Sequence, residues 1–329
     1  MRVPRQIPFL LALLLAVPSG ADSLILFIGD GMGLEHMKLA QDAAGAPWTG
    51  FPHFAAVDPS SLCGIPDSPA SGTAIATGHR TANRRIGMLE DGRAAASLAE
   101  RARGMGFAVG IVTNDLLTGA TPAAFYAHWG DRRDHKAIAA FLFRSGLDLF
   151  IGGGGRHLPR REARRAGYDY RTSLGPPLGP KALVVLDGGE MPFLMDDPVN
   201  GRLLPAVQAA LDRLWGDGRP FFLMVESALI DHASHDNDAA RLEVEMRGNV
   251  RTILSYLQEW VGRHPETALV ATADHECGGF DAGARAFTDD HHTAEPVAVL
   301  STRPLSGEMV QQWELHGCLL EILRARTPR

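Results

Sequence analysis

Phe221-Phe-Leu-Met-Val-Glu-Ser-Ala-Leu-Ile-Asp-His-Ala-Ser-His-Asp236 is an apolar run that ends in acids and imidazoles. Phe221 to Val225 suits a strand buried on both faces, as in a parallel sheet. If the chain turns helical after it, Asp231 and His235 stand at i and i+4 and project from one face. Carboxylate and imidazole together suit zinc. Glu226, at the end of the apolar run, adds a hard oxygen at the mouth where α/β sheets collect functional side chains. A polar helix start with solvated capping groups fits the same residues, so the choice falls to the rest of the chain.

The pattern recurs on both sides of this stretch. Ser23 to Ile28 is a short apolar run that stops at Gly29-Asp30-Gly31-Met32-Gly33, which puts Asp30 at a strand's carboxyl end. Ala268 to Thr272 is another such run, followed by Asp274-His275-Glu276-Cys277. A helix over Ala94 to Gly104 precedes a strand over Ala108 to Thr113, and further strands read at Asp148 to Ile151 and Leu183 to Leu186. Helical spacing marks Arg202 to Trp215 and a long covering helix from Asn237 to Trp260. This alternation predicts an α/β fold with a central, largely parallel sheet and helices on both faces. No internal repeat or linker divides it, so residues 22–329 read as one domain.

Several other chemistries fail on their spacing. The dinucleotide fingerprint needs glycine at position 34, which is Leu34. Gly152 to Gly155 is followed by no Gly-Lys-Ser/Thr, so a Walker loop is excluded, and His275-Glu276-Cys277 lacks the second histidine of a zincin helix. Cys63 is followed by Gly64-Ile65-Pro66, which is not a Cys-x-Pro-x-Arg sulfatase motif. A net charge of -6 over 329 residues argues against nucleic acid as a partner, and the basic cluster Arg160 to Arg165 reads as a solvated helix face.

Arg2 and Arg5, the apolar run Ile7 to Val17 and then Pro18-Ser19-Gly20-Ala21 have the layout of a cleaved secretory leader over residues 1–21. The run is too short to span a bilayer. An exported protein, periplasmic or secreted and with no membrane anchor, is expected. The three cysteines, Cys63, Cys277 and Cys318, allow at most one bridge, and a pairing of Cys63 with Cys277 is left open.

Two further segments complete the pattern. Pro66-Asp67-Ser68-Pro69-Ala70-Ser71-Gly72-Thr73-Ala74-Ile75-Ala76-Thr77-Gly78 has the small residues and the serine before proline of a helix N-terminus, where an anion is welcome and where Ser68 also suits a plain N-cap. Thr118 to His128 opens another helix, with Thr121 before Pro122 at its first position. With Ile28 to Gly33, Asp67 to Thr73, the Ala-Thr-Pro segment, Val225-Glu226, Ile230-Asp231-x-x-x-His235, Asp274-His275 and His291 to Val299 in this order, the chain resembles the alkaline phosphatase family from Ser23 to Val299.

The resemblance implies two zinc ions and one magnesium. The first zinc would be held by Asp231, His235 and His292, and the second by Asp30, Asp274 and His275 with Ser68 Oγ. Magnesium would take Asp30, Thr121 and Glu226, so that Asp30 bridges. It further implies that Ser68 attacks phosphorus of a phosphate monoester and passes through a phosphoserine, while Arg132 clamps the phosphoryl oxygens with paired donors. Relatives carry an acid or a histidine two residues before the threonine, where this chain has Gly119, which implies a weaker or empty magnesium site. Ser227 stands where glycine is usual and Pro69 where a small residue is. His232 is left as a phosphate contact or an exposed residue, and His291 as a neighbour of the site or a solvated one. The short loop between His275 and His292 implies an open site. A phosphodiesterase of the same superfamily, or a non-catalytic exported metal- or phosphate-binding protein, remains as an alternative. Relatives are commonly homodimers, and the oligomeric state is left open.

Overall fold

The computed structural model describes residues 23–41, 45–175 and 177–325. The leader expected over residues 1–21 lies outside them. The strands are β1 (Ser23–Gly29), β2 (His53–Val57), β3 (Ala108–Leu116), β4 (Leu149–Gly153), β5 (Asp169–Arg171), β6 (Ala182–Val185), β7 (Phe221–Ser227), β8 (Thr267–Ala273), β9 (Glu276–Cys277), β10 (His292–Thr293) and β11 (Val297–Ser301). The helices are α1 (Leu34–Lys38), α2 (Ser68–Thr77), α3 (Leu98–Gly104), α4 (Ala120–Ala123), α5 (His135–Ser145), α6 (Arg160–Arg165), α7 (Leu204–Trp215), α8 (Leu229–His235), α9 (Ala239–Glu245), α10 (Arg251–Arg263) and α11 (Leu315–Arg324).

Nine strands form one sheet in the order β2-β11-β8-β1-β7-β3-β4-β6-β5. Its pairings are parallel except those of β11, which runs antiparallel to both β8 and β2. The central strands β8, β1 and β7 are buried at every residue, as their unbroken apolar sequence requires. Helices α7 and α10 pack together against β3, β4, β7 and β8, and α2, α3 and α11 form a second packed group against β1, β3 and β7. One layer thus covers each face, and the parallel neighbours β8, β1, β7 and β3 deliver their carboxyl ends to one edge.

Local boundaries differ from the sequence expectation where capping chemistry decides them. The helix expected from Ala94 starts at Leu98, because Ser97 and Glu100 make a reciprocal capping box. The long helix expected from Asn237 starts at Ala239: Asn237 takes φ 52° and the Asp238 carboxylate accepts from the N–H groups of Ala240 and Arg241. A π turn over Met246–Val250 then joins α9 to α10. Thr121 is not a cap, since α4 begins at Ala120 behind Gly119. Pro122 stands two positions later than expected, at the third helical residue, and is accommodated there because the third N–H of a helix also has no intrahelical partner.

Candidate active site

Asp30, Glu226 and Asp274 with His275 sit at or just beyond the carboxyl ends of β1, β7 and β8, and Asp231 and His235 lie on α8, directly after β7. Neighbouring strands in register bring these ends together: Gly29 pairs with both Ser227 and Ala273. Gly31 turns the chain at φ +72°, and a Cβ there would lie 2.9 Å from the Cα of Asp231. Its N–H donates to Asp274 Oδ1 at 3.1 Å. Only glycine satisfies both the left-handed backbone and the close approach.

Helix α2 places the serine. All ten of its residues are buried, which small side chains permit, and at Gly72 the backbone of Thr121 lies close enough that a Cβ would sit 3.4 Å from its Cα. The N-cap is Asp67, whose carboxylate accepts from the N–H groups of Ala70 at 3.1 Å and Arg84 at 2.8 Å. Ser68 is therefore the first helical residue with its hydroxyl released from capping, and Oγ lies 3.3 Å from His275 Nε2.

The residues gather in three linked sets. At the rim, Asp231, His235 and His292 converge: the two Nε2 atoms are 3.0 Å apart, and they stand 3.4 and 3.5 Å from the carboxylate oxygens of Asp231. Each Nδ1 faces a backbone carbonyl, of Asp290 at 2.6 Å and of Pro66 at 2.9 Å. Bonding Nδ1–H in this way leaves Nε2 with a lone pair for a metal. On the floor, His275 Nε2 lies 3.5 Å from Asp30 Oδ1 and 3.2 Å from Asp274 Oδ2. In the third set, Thr121 Oγ1 donates to Asp30 Oδ2 at 3.1 Å, and Thr113 Oγ1 makes a short hydrogen bond to Glu226. Asp30 belongs to two sets, one oxygen to each.

The electrostatics distinguish the sets. Burial and then the neighbouring Asp231 push the Asp274 carboxyl up to about 8. Burial, followed by the charges of Asp274 and Asp231, also holds Asp30 well above the usual carboxylate range, and burial and Asp30 do the same to Glu226. His275 is driven well below its ordinary value by burial and by His292. At the rim, burial opposes the charge on Asp231, but the hydrogen bond from His235 and the nearby imidazoles outweigh it and hold this carboxyl far below the usual range. The bond to Asp231 in turn lifts His235 to about 9.

These residues fit metal ions. Asp30 Oδ1, Asp231 Oδ1, Asp274 Oδ2 and His275 Nδ1 are buried without a hydrogen-bond partner. Ligand atoms from Asp231, His235, Cys277 and His292 lie within 4.8 Å of one another, as do those of Asp30, Asp274 and His275. Buried carboxylates crowded in this way require a cation to ionise together.

Above the rim is an open cavity of about 540 Å³, lined among others by Asn83, Arg132, Asp231, His232, His235 and His292. Arg132 is half-buried, has no ion-pair partner among the described residues, and its charge acts on Asp30. His232 is also half-buried and faces Glu190 at 3.6 Å. His291, at 79% side-chain exposure, pairs with Asp289 and Asp290 outside the three sets.

Sequence reasoning missed four participants. Thr113 is cross-strand partner to Glu226, a register no motif announces. Gln312 donates to the carbonyls of Ala273 and Asp274 at 3.0 and 2.5 Å, holding the floor loop from the far end of the chain. Asp67 is the cap that frees Ser68. Cys277 pairs with His292 across β9 and β10 and is buried beside the rim set. All three cysteines are free, with Cys63 exposed, so no bridge links Cys63 to Cys277.

The sequence model of the family described as "Alkaline phosphatase" matches residues 21–172 and 180–307. Alkaline phosphatase 4 of Bacillus subtilis is 32% identical over 312 residues, covering 86% of this chain and 67% of the relative. Streptomycin-6-phosphate phosphatase of Streptomyces griseus is 30% identical over 344 residues, covering 78% and 74%. The chain thus matches about two thirds to three quarters of the length of these relatives. The solved alkaline phosphatase of the Antarctic bacterium TAB5 superposes with a TM-score of 0.84 at 25% identity, covering 93% of this chain and 100% of that one. A variant of the TAB5 enzyme, with the same TM-score and coverage at 24% identity, has magnesium bound in its M3 site.

Proposed function

Because the chain belongs to the alkaline phosphatase family, we propose that it is a metal-dependent phosphomonoesterase that works through a phosphoserine on Ser68. The observation that carries this reading is the placement of Ser68 Oγ, freed by the Asp67 cap, 3.3 Å from His275 Nε2 at the N-terminus of α2. Asp231, His235 and His292 would hold one zinc, and Asp30, Asp274 and His275, with Ser68 Oγ, a second. Asp30, Thr121 and Glu226 would hold magnesium. Bound there, the metals supply positive charge for the attacking and leaving oxygens and lower the pKa of hydroxyls they touch.

The chain's own groups do the rest. Arg132 offers two parallel donors to the non-bridging phosphoryl oxygens and fixes phosphorus in line with Ser68 Oγ. An Oγ–P bond forms as the bond from phosphorus to the ester oxygen breaks, and the proton lost by the serine hydroxyl balances the one taken up by the departing alcohol. Water then attacks the phosphoserine, releasing phosphate and restoring the serine. The N-terminus of buried α2 provides an electropositive floor under the anion. The open rim accommodates alcohols of varied shape.

The test is hydrolysis of a chromogenic phosphate monoester before and after chelation, with zinc and magnesium added back. Turnover should vanish on chelation and return with zinc. Ser68→Ala should lose at least about a thousandfold in turnover while keeping its zinc; near-wild-type turnover overturns the nucleophile assignment. A higher kcat/KM on a diester than on a monoester would move the reading to a phosphodiesterase. We also propose that residues 22–329 act as one catalytic domain and that the enzyme works outside the cytoplasm, periplasmic or secreted. N-terminal sequencing of exported protein should begin at Asp22.

A further inference from the structure

Three side chains of metal-ligating type stand together, one of them, Asp115, within electrostatic reach of Glu226, and they have no part in the reaction described above. Ligand atoms of Asp115, Glu190 and His232 lie within 4.8 Å of one another. Asp115 is the penultimate residue of β3 and partly buried, and its N–H donates at 2.9 Å to Thr113 Oγ1, the hydroxyl that bonds Glu226. Its carboxylate has no hydrogen-bond donor or ion pair among the described residues. It is pressed against the start of α4: a Cβ built on Gly119 would meet Asp115 Oδ2 at 2.4 Å. The space a side chain at 119 would enter is therefore taken by a carboxylate arriving from the strand, two residues before Thr121 on one side and within electrostatic reach of Glu226 on the other.

We propose that Asp115 stands in for the side chain absent at Gly119, and that its carboxylate completes the third, magnesium-type site beside Thr121 and Glu226, with Glu190 and His232 gathered around it. This rests on the phosphatase reading. It reverses the expectation that glycine at 119 weakens that site, because the negative charge is present and only its origin in the chain has changed. The chemistry is that of a hard, hydrated cation, which binds through few carboxylates and keeps several waters. A partly buried carboxylate with no protein donor of its own is suited to accept hydrogen bonds from such waters. Asp115 acts as a positioning residue; it touches neither Ser68 nor the phosphoryl group.

The test is titration of magnesium into zinc-loaded protein by calorimetry, with bound zinc and magnesium counted by elemental analysis after dialysis. Wild type should bind one magnesium per chain. Asp115→Asn, which keeps the shape and removes the charge, should weaken magnesium binding at least about tenfold, the loss typical of outer partners of a metal site, with zinc content unchanged. Asp115→Ser carries the same expectation should the asparagine variant fold poorly. Unaltered magnesium affinity in the folded variants, or a zinc-loaded wild type that binds no magnesium, overturns the inference. Zinc uptake and monoester turnover of wild type, measured on the same preparation, separate this outcome from failure of the phosphatase reading: if both are absent, that reading falls and takes the inference with it.

Discussion

Asp231, His235 and His292 at the rim and Asp30, Asp274 and His275 on the floor are drawn from the same residue types, and the exposure of their imidazoles and the balance of their charges set them apart. The His235 side chain is 39% exposed, whereas those of Asp274 and His275 are fully buried. At the rim one carboxylate faces two imidazoles, and both of these are oriented by backbone carbonyls, so the protein's own charges nearly balance. On the floor two carboxylates share one imidazole, burial pushes all three toward their neutral forms, and an atom on each lacks a partner. The rim is thus nearer to balance without an ion, with Asp231 Oδ1 its one orphaned ligand atom among those described. The floor is arranged for a cation and is costly without one.

The largest test of this contrast is in turnover. Asp274→Asn should reduce zinc-restored kcat/KM by more than about a hundredfold, beyond what loss of an outer partner causes, and excess zinc should not recover it, because a buried position offers no replacement ligand. His235→Ala should fall less and recover in part as free zinc is raised, since water can enter a half-exposed position. Equal rescue of the two variants would mean that burial does not separate rim from floor.

Stability of the chelated protein should divide the sets by sign. At pH 9, above the value of about 8 to which Asp274 is raised, Asp274→Asn removes a buried like charge and should raise the unfolding free energy of metal-free protein by about 0.5–2 kcal/mol, the range of common stabilising changes. Asp231→Asn should lower it. The pH dependence follows by linkage. Asp274 titrates near 4 when unfolded and at about 8 when folded, so the folded state holds the extra proton between these values and loses stability as pH rises through them. His235, raised to about 9 from about 6.5 when unfolded, contributes stability below 6.5 that disappears as pH climbs to 9. Asp231 acts oppositely in acid, below about 4, and so does His275, whose depressed value makes it lose stability as pH falls below about 6.5. Melting temperatures of chelated protein should therefore decline from about pH 6.5 to 9, and zinc should flatten the decline. A metal-free protein that gains stability over this range would contradict the unbalanced floor.

Legibility from sequence followed the same division between local and distant causes. Strands β1, β7 and β8 could be read because each is an unbroken apolar run ending abruptly in glycine, acid or imidazole, and that ending also marked Asp30, Glu226, Asp274 and His275. Helical spacing puts Asp231 and His235 on one face, but a polar helix start explains them as well until the order of motifs is taken into account. Ser68, Thr121, Arg132 and His292 gave weaker local signals, and only the order of motifs singled them out. What could not be read depends on register and on contacts between distant segments. Thr113 looks like any strand threonine until β3 is set against β7. Gln312 reaches the floor from 38 residues beyond Asp274. Gly119 reads as a loss from the site, because the carboxylate that fills its space belongs to a preceding strand.

Cys277 gives the smallest and most discriminating test. Its Sγ lies within 4.8 Å of the rim ligand atoms and 3.9 Å from the Asp231 carbonyl oxygen, so distance alone allows it to be a fourth zinc ligand. Two considerations oppose that role. Burial, together with the adjacent Asp231 charge, pushes the thiol far above its ordinary value, whereas a ligating cysteine must be a thiolate. Four protein ligands would also close the coordination position that a catalytic zinc keeps open. The thiol then serves as a small apolar wall behind His292. Cys277→Ala should cost about 1 kcal/mol, as expected for deleting one buried heavy atom, and leave zinc content and turnover near wild type. Loss of one zinc per chain would make Cys277 a ligand, and the rim would then be as closed as the floor.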